Sequence, residues 1–265
     1  MGLLDGKVAI VTGAGRGLGR SHAHLLAAEG AAVVVNDLGG EWDGHGADPR
    51  AASETAAEIT SGGGRAVANF DDVADWEGGQ RLINQAVETF GKLDILVCNA
   101  GVASKGMPVA LTEPAELANV IGVHALGPHY MARGVLPSMR TRSRGDIVMI
   151  SSVATSHMGP NGAPYNMGKA AMEALALTLA KEERPHGIHV NVVAPGLVET
   201  DMGVRLARAM TGQRELQDLR SLDQGSPFGR VCQPLDVANV VLWLCSEGAS
   251  YVTGQRIECD GGGPR

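Results

Sequence analysis

Short apolar runs alternate with longer amphipathic stretches along most of the chain. Lys7 to Thr12 is apolar and ends among glycines, and Ser21 to Glu29 behind it has helical spacing. Ala32 to Asn36 carries three consecutive valines, which suits a strand covered on both faces. A polar, Gly-rich stretch from Gly39 to Pro49 interrupts the pattern. Helical spacing returns at Ala51 to Thr60, Trp76 to Phe90, Pro114 to Met139 (where Gly122, Gly127 and Gly134 mark close packing or a break), Tyr165 to Arg184 and Leu235 to Cys245. Strand-like runs lie between them at Ala66 to Phe70, Leu93 to Cys98, Ile147 to Ser151, Ile188 to Val193 and Arg256 to Cys259. Strands separated by helices require crossovers, so the pattern predicts an α/β fold, a doubly wound parallel sheet with helices on both faces. Neither a Pro/Ser linker nor a composition shift divides the chain, so residues 1–265 are expected to form a single domain.

The first strand runs into Thr12-Gly13-Ala14-Gly15-Arg16-Gly17-Leu18-Gly19, and a helix follows. Glycines there permit a tight turn and let backbone N–H groups approach a pyrophosphate at a helix N-terminus. A Gly-rich turn by itself says little; its place between the first strand and the first helix makes a dinucleotide cradle the stronger reading. Asp37 ends the second strand, where a carboxylate can bond the adenosine ribose hydroxyls and repel a 2′-phosphate. That favours NAD, with NADP as the alternative because Arg16 inside the loop could reach such a phosphate.

Tyr165 and Lys169 open the long helix four residues apart and share a face. A free tyrosine has a pKa near ~10 and is a poor base at neutral pH. A lysine cation beside it is expected to favour the phenolate, so that Tyr165 can take the proton of an alcohol as its hydride leaves. A Tyr/Lys pair on a helix is usually just a solvated face. Here Ser151 and Ser152 end a strand just upstream, and Asn191 to Pro195 ends another. Ligands of open α/β sheets bind outside such strand ends, which favours the chemical reading.

Composition narrows the function further. The formal charge of −7 argues against a nucleic-acid partner. No run of eighteen apolar residues predicts a membrane span. Met1 to Gly6 resembles neither a signal peptide nor a myristoylation site, and Gly261 to Arg265 carries no peroxisomal or prenylation motif. Cys98, Cys232, Cys245 and Cys259 lack metal-ligand spacing, so no metal is expected, and buried thiols in a reducing cytoplasm are the simpler reading.

The motifs Thr12-Gly13-x-x-x-Gly17-x-Gly19, Asp72-Val73, Asn99-Ala100-Gly101, Ser152, Tyr165-x-x-x-Lys169 and Pro195-Gly196 with Thr200 occur in one order. Together they resemble the short-chain dehydrogenase/reductase family over essentially the whole chain. The resemblance implies a Rossmann fold, an NAD(P)-dependent oxidoreductase of an alcohol or ketone, and a homotetramer. It implies that Asp72, with Val73, meets the adenine, that Asn99, Ala100 and Gly101 line the cofactor cleft, and that Val198 and Thr200 beyond Pro195 and Gly196 hold the carboxamide. Gly13, Gly15, Arg16, Gly17, Leu18, Gly19 and Asp37 complete the cofactor set, which Tyr165 and Lys169 share with the catalytic one.

Two positions depart from the family pattern. Cys98 stands where the family usually has Asn, and His124 stands where an active-site Asn usually joins a water-linked proton relay. His124 is either a fourth catalytic group or a hydrogen-bonded packing histidine. A narrower likeness, carried by Val35 to Gly40 and its Gly-rich continuation, Ala66 to Asn69, His124 and Val241 to Cys245, covers about half the chain. Those stretches resemble the 3-hydroxyacyl-CoA dehydrogenase part of peroxisomal multifunctional enzymes of type 2.

Residues 201–227 fall where the family has its substrate lid. Val204, Leu206, Met210, Leu216, Leu219 and Leu222 would suit an acyl chain, a steroid or another apolar alcohol. Arg205, Arg208, Arg214 and Arg220 either hold the phosphates of a CoA group or form the solvated side of an amphipathic helix, the second being the simpler reading. The expected function is hydride transfer between a secondary alcohol or ketone and NAD by Ser152, Tyr165 and Lys169. The rivals are an NADPH-dependent carbonyl or 3-oxoacyl-carrier-protein reductase, and a non-catalytic dinucleotide sensor.

Overall fold

The computed structural model describes residues 2–213 and 215–263. Its centre is one seven-stranded parallel sheet in the order β3-β2-β1-β4-β5-β6-β7. The strands are β1 (Val8–Thr12), β2 (Ala32–Asn36), β3 (Arg65–Asn69), β4 (Ile95–Cys98), β5 (Gly145–Ile150), β6 (Ile188–Pro195) and β7 (Arg256–Cys259). The helices are α1 (Gly17–Ala28), α2 (Arg50–Ser61), α3 (Trp76–Phe90), α4 (Pro114–Ile121), α5 (Gly127–Met139), α6 (Ala154–His157), α7 (Ala163–Glu183), α8 (Asp201–Thr211) and α9 (Pro234–Leu244). This is the doubly wound parallel sheet that the alternation predicts, in the Rossmann arrangement that the resemblance implies.

Period-two alternation feeds a core on each side of the sheet. Ala9, Val11, Val33 and Val35 pack with α1, α2 and α9 residues such as Leu26, Ile59 and Val241. Val8, Ile10, Ala32 and Val34 pack the other way, with Leu82, Val135 and Met172 of α3, α5 and α7. A strand buried on both faces must be apolar throughout, which is why β1 and β2 read as unbroken runs. The order reverses at β1, which pairs with β2 on one side and β4 on the other. Crossovers leave in opposite directions there and open a crevice beyond the carboxyl ends of the strands.

The helical stretch 114–139 is broken rather than continuous. Between α4 and α5 the backbone makes a π turn, Gly122–Leu126, whose extra residue shifts the face that each following side chain presents. Gly127 follows it because a Cβ there would sit 3.2 Å from the Val73 carbonyl oxygen. In addition, α1 begins at Gly17 rather than Ser21, directly on the Gly-rich loop.

Candidate active site

The Gly-rich loop is fastened to the neighbouring strand end by side chains. Thr12 Oγ1 donates to the Val97 carbonyl (3.3 Å) and accepts from the Asn99 and Ala100 N–H groups (3.0 Å each). Asn99 Nδ2 donates to the carbonyls of Thr12 (2.9 Å) and Gly13 (3.0 Å). Gly13 adopts φ +63°, a left-handed conformation that glycine tolerates best. A Cβ on Gly19 would run into the Gly13 carbonyl and the Asn99 amide. Asn99 is thus built into the loop's support. No side chain caps the N-terminus of α1 at Arg16, so the first-turn N–H groups remain available to an anion.

Asp37 ends this wall of the cleft. Its Oδ2 accepts from the Gly15 N–H (2.8 Å) and its Oδ1 from the Gly39 N–H (2.7 Å). The carboxylate therefore shapes the loop as well as the pocket. Arg16 is exposed on the rim. Asp72 Oδ1 accepts from the Ala74 N–H (2.8 Å), and Val73 is buried below it.

Tyr165 and Lys169 lie near the start of α7, facing the end of β5. Lys169 is buried, and its Nζ donates to the Ile150 carbonyl (2.7 Å) from 5.8 Å off the Tyr165 ring centre. Burial depresses the Lys169 pKa from 10.5 to about 7, an effect that Cys98 and Glu173 oppose. Burial pushes the Tyr165 phenol up, and the Ser152 hydroxyl bonded to it pulls it down. The Lys169 Nζ that bonds Ile150 keeps two further N–H donors for a partner in the cleft.

His124 sits in the π turn and is 1% exposed. Its Nε2 lies 2.8 Å from the Val102 carbonyl oxygen and 3.2 Å from the Val102 nitrogen; the shorter contact assigns the proton to Nε2. Nδ1 then is a bare acceptor without a protein partner. The ring stands edge-on to Tyr165 at 5.2 Å. Burial, followed by the Lys169 charge, holds it neutral with a pKa well below the usual histidine range. Gly101 and Gly168 make room for it: a Cβ on the first would lie 2.8 Å from His124 Cε1, and on the second 2.8 Å from His124 Cβ.

One cleft of about 560 Å³ joins these parts. Gly13, Arg16, Gly17, Leu18, Gly19, Asp37, Asp72, Val73, Asn99, Ala100, Gly101, His124, Tyr165, Lys169 and Thr200 all line it. Gly15, Ser152, Pro195, Gly196 and Val198 are not among its lining residues. Gly15 is buried against Ala51, Ser152 accepts from the Ala154 N–H (3.1 Å), and Gly196 N–H bonds the Cys259 carbonyl (3.1 Å). Val198 is buried in the core with β6 and α9 residues.

Two segments overhang the cleft. The loop after β2 is tied down by Ala103 N–H to the Trp42 carbonyl (2.8 Å) and Asn119 Nδ2 to the Asp43 carbonyl (2.8 Å). Across from it, the Arg205 guanidinium of α8 stacks on Trp42 at 4.0 Å. Trp42 escaped the sequence reading, since nothing local marks a loop tryptophan as the partner of an arginine far along the chain. Leu216 and Leu219 pack with Ala207 and Val231 into a small separate core, so they do not offer an acyl surface; Leu206 is exposed. Arg208 donates to the Leu216 carbonyl (2.7 Å) and Arg220 is exposed. The Met210 side chain and Arg214 lie outside the described residues.

A glycine cradle at the switch point of a parallel sheet, facing a Ser–Tyr–Lys group, defines a nucleotide-dependent oxidoreductase. The family model described as enoyl-(acyl carrier protein) reductase matches residues 13–263, and the chain belongs to the short-chain dehydrogenase/reductase family. It is 38% identical over 264 residues to versicolorin reductase stcU of Emericella nidulans, covering 98% of this chain and 96% of that one. It is 35% identical over 243 residues to peroxisomal multifunctional enzyme type 2 of Mus musculus, covering 92% of this chain but only 30% of the mouse protein. A solved 7α-hydroxysteroid dehydrogenase, in complex with NADH and 7-oxo glycochenodeoxycholic acid, is 33% identical with a TM-score of 0.84, over 98% of this chain and 95% of that one.

Proposed function

We propose that this protein is an NAD-dependent dehydrogenase of apolar secondary alcohols, with 3-hydroxyacyl thioesters and ring alcohols such as steroids as its substrate classes. The observation that carries this reading is that Tyr165 and Lys169 line the cleft that the glycine cradle opens into, with the Ser152 hydroxyl set behind them against the Tyr165 phenol. The N-terminus of α1, with Gly13 and Gly17, would hold a pyrophosphate. Asp37 would bond the adenosine ribose; Asp72 and Val73 would flank the adenine; Val198 and Thr200 would support the carboxamide. The nicotinamide, when bound, would accept or return the hydride.

Tyr165 takes the hydroxyl proton of the substrate, and Ser152 holds the same oxygen while stabilising the phenolate. Lys169, with a pKa of about 7, is charged or neutral with nearly equal ease at neutral pH, so it can hand a proton onward. His124 Nδ1, a buried acceptor without a protein partner, would anchor that relay. The segment 201–227 acts as the lid of this one domain.

The hydroxysteroid dehydrogenase complex with NADH supports both the cofactor and the ring-alcohol class, and the mouse relative supports the thioester class. A second reading, reduction of a carbonyl with NADPH, is favoured by the rim position of Arg16 and by the reductase name of the fungal relative. A homotetramer would cover the exposed Leu126, Met167 and Leu177 on one side and Leu235, Trp243 and Tyr251 on another. Four free cysteines support a cytoplasmic setting.

A panel of 3-hydroxyacyl-CoAs, hydroxysteroids and cyclic alcohols with NAD is expected to yield NADH. Tyr165→Phe is expected to abolish this, with NAD affinity within about twofold of the parent. Comparable turnover in the variant would defeat the mechanism, and cofactor binding without NADH from any substrate would favour a sensor.

A further inference from the structure

The end of β5 is gripped by three charged side chains in succession. Lys169 Nζ bonds the Ile150 carbonyl, Ser151 Oγ donates to Glu173 Oε1 (2.5 Å), and Arg256 Nη2 donates to the Ser152 carbonyl (3.2 Å). Glu173 lies one turn beyond Lys169, so Tyr165, Lys169 and Glu173 form one stripe on α7. Arg256 reaches in from β7, donating through Nε to Glu173 Oε1 (3.0 Å) and through Nη2 to Thr155 Oγ1 (2.8 Å). Thr155 Oγ1 also lies 2.8 Å from Glu173 Oε1 and 2.9 Å from the Ser152 carbonyl oxygen. Arg256 Nη1 donates to Glu258, which in turn accepts from Ser156 (2.9 Å). Both ends of the segment 151–156 are therefore tied to one guanidinium.

Resting on the function proposed above, we infer that Glu173 and Arg256 are positioning residues for Ser152: they fix the backbone that aims its hydroxyl at Tyr165. Neither touches the cleft. A free Ser152 peptide would swing its hydroxyl away from the phenol, and a partly buried guanidinium fork holds two acceptors in fixed directions better than an ammonium can.

The test follows Tyr165 directly, so it does not depend on finding a substrate. The chain has three tyrosines, and a Tyr130→Phe/Tyr251→Phe background leaves one. Its ζ-13C resonance is titrated against pH, with and without NAD. The charged and titratable groups around the phenol are Lys169, His124 and, behind Ser152, the Glu173–Arg256–Glu258 set. Arg256→Gln and Glu173→Gln are each expected to raise the phenol's pKa by roughly half a unit or more. Arg256→Lys should recover part of that shift. In a Ser152→Ala background, Arg256→Gln should add nothing, because the hydroxyl it aims is gone.

Where the parent turns over, kcat should fall about tenfold with NAD affinity unchanged. The inference is overturned if Arg256→Gln leaves the titration in place, or shifts it equally with and without the Ser152 hydroxyl. Should Arg256→Gln not fold, Glu173→Gln carries the same test, with and without the Ser152 hydroxyl. A parent without turnover but with these shifts would count against the proposed function and for the positioning.

Discussion

Gly19 is fixed by a collision: its absent Cβ would overlap the Gly13 carbonyl and the Asn99 amide. Gly19→Ala must therefore open the cradle, and it is expected to cost about 1–3 kcal/mol of stability and most of the NAD affinity, measurable by denaturant melts and calorimetry. Asp37 is expected to set cofactor choice. Asp37→Ser should narrow the preference for NAD over NADP at least tenfold by calorimetry, and Arg16→Ala in that background should remove the NADP gain. His22 makes a different kind of prediction. It is fully buried with neither ring nitrogen bonded, and burial lowers its pKa from 6.5 to about 3. The unfolded chain takes up this proton below about pH 6.5 and the folded chain does not, so stability falls as pH drops from there toward about 3. His22→Leu should flatten that part of the stability–pH curve, which loses ~1.4 kcal/mol per pH unit in the parent.

Among the elements, the π turn and the overhanging loop matter most. An α-helix continuous from Pro114 to Met139 would turn His124 by about 100° relative to its present face. Deleting Gly122 is expected to leave circular dichroism near the parent's while lowering kcat. Unchanged kcat would assign His124 to packing. The Arg205–Trp42 stack joins α8 to the loop after β2 across the cleft mouth. Its loss in Trp42→Ala should weaken NAD binding about three- to fivefold, in line with the ~0.5–1 kcal/mol of an exposed cation–π contact. Elements were legible in the sequence where a single period ran its length: α3 spans Trp76–Phe90 and β2 spans Ala32–Asn36, matching the pattern. Gly122 and Gly127 marked close packing or a break in the sequence, but the π form of that break was not legible, because a π turn costs one residue of register and leaves apolar spacing on both sides intact.

For the whole molecule, the homotetramer proposed above is tested by light scattering with size exclusion, where four copies in solution are the expected outcome. Asp37, Tyr165 and Lys169 could be found from sequence because their signals are local: a strand end and an i, i+4 pair. Ser151 and Ser152 were marked by their place at a strand end, but only the fold brings the Ser152 hydroxyl to Tyr165. Short unbroken apolar runs between helical stretches, glycines at strand ends and the Tyr165–Lys169 spacing determined the layered sheet and the chemistry on offer, because neighbours in sequence set those features. The Lys169 bond to Ile150, the bare His124 Nδ1 and the Arg256 grip on residues 83 and more positions away were decided by tertiary structure alone. Those contacts form between side chains that only a closed sheet brings together, and it is burial there, not sequence spacing, that moves the pKa values of Lys169 and Tyr165.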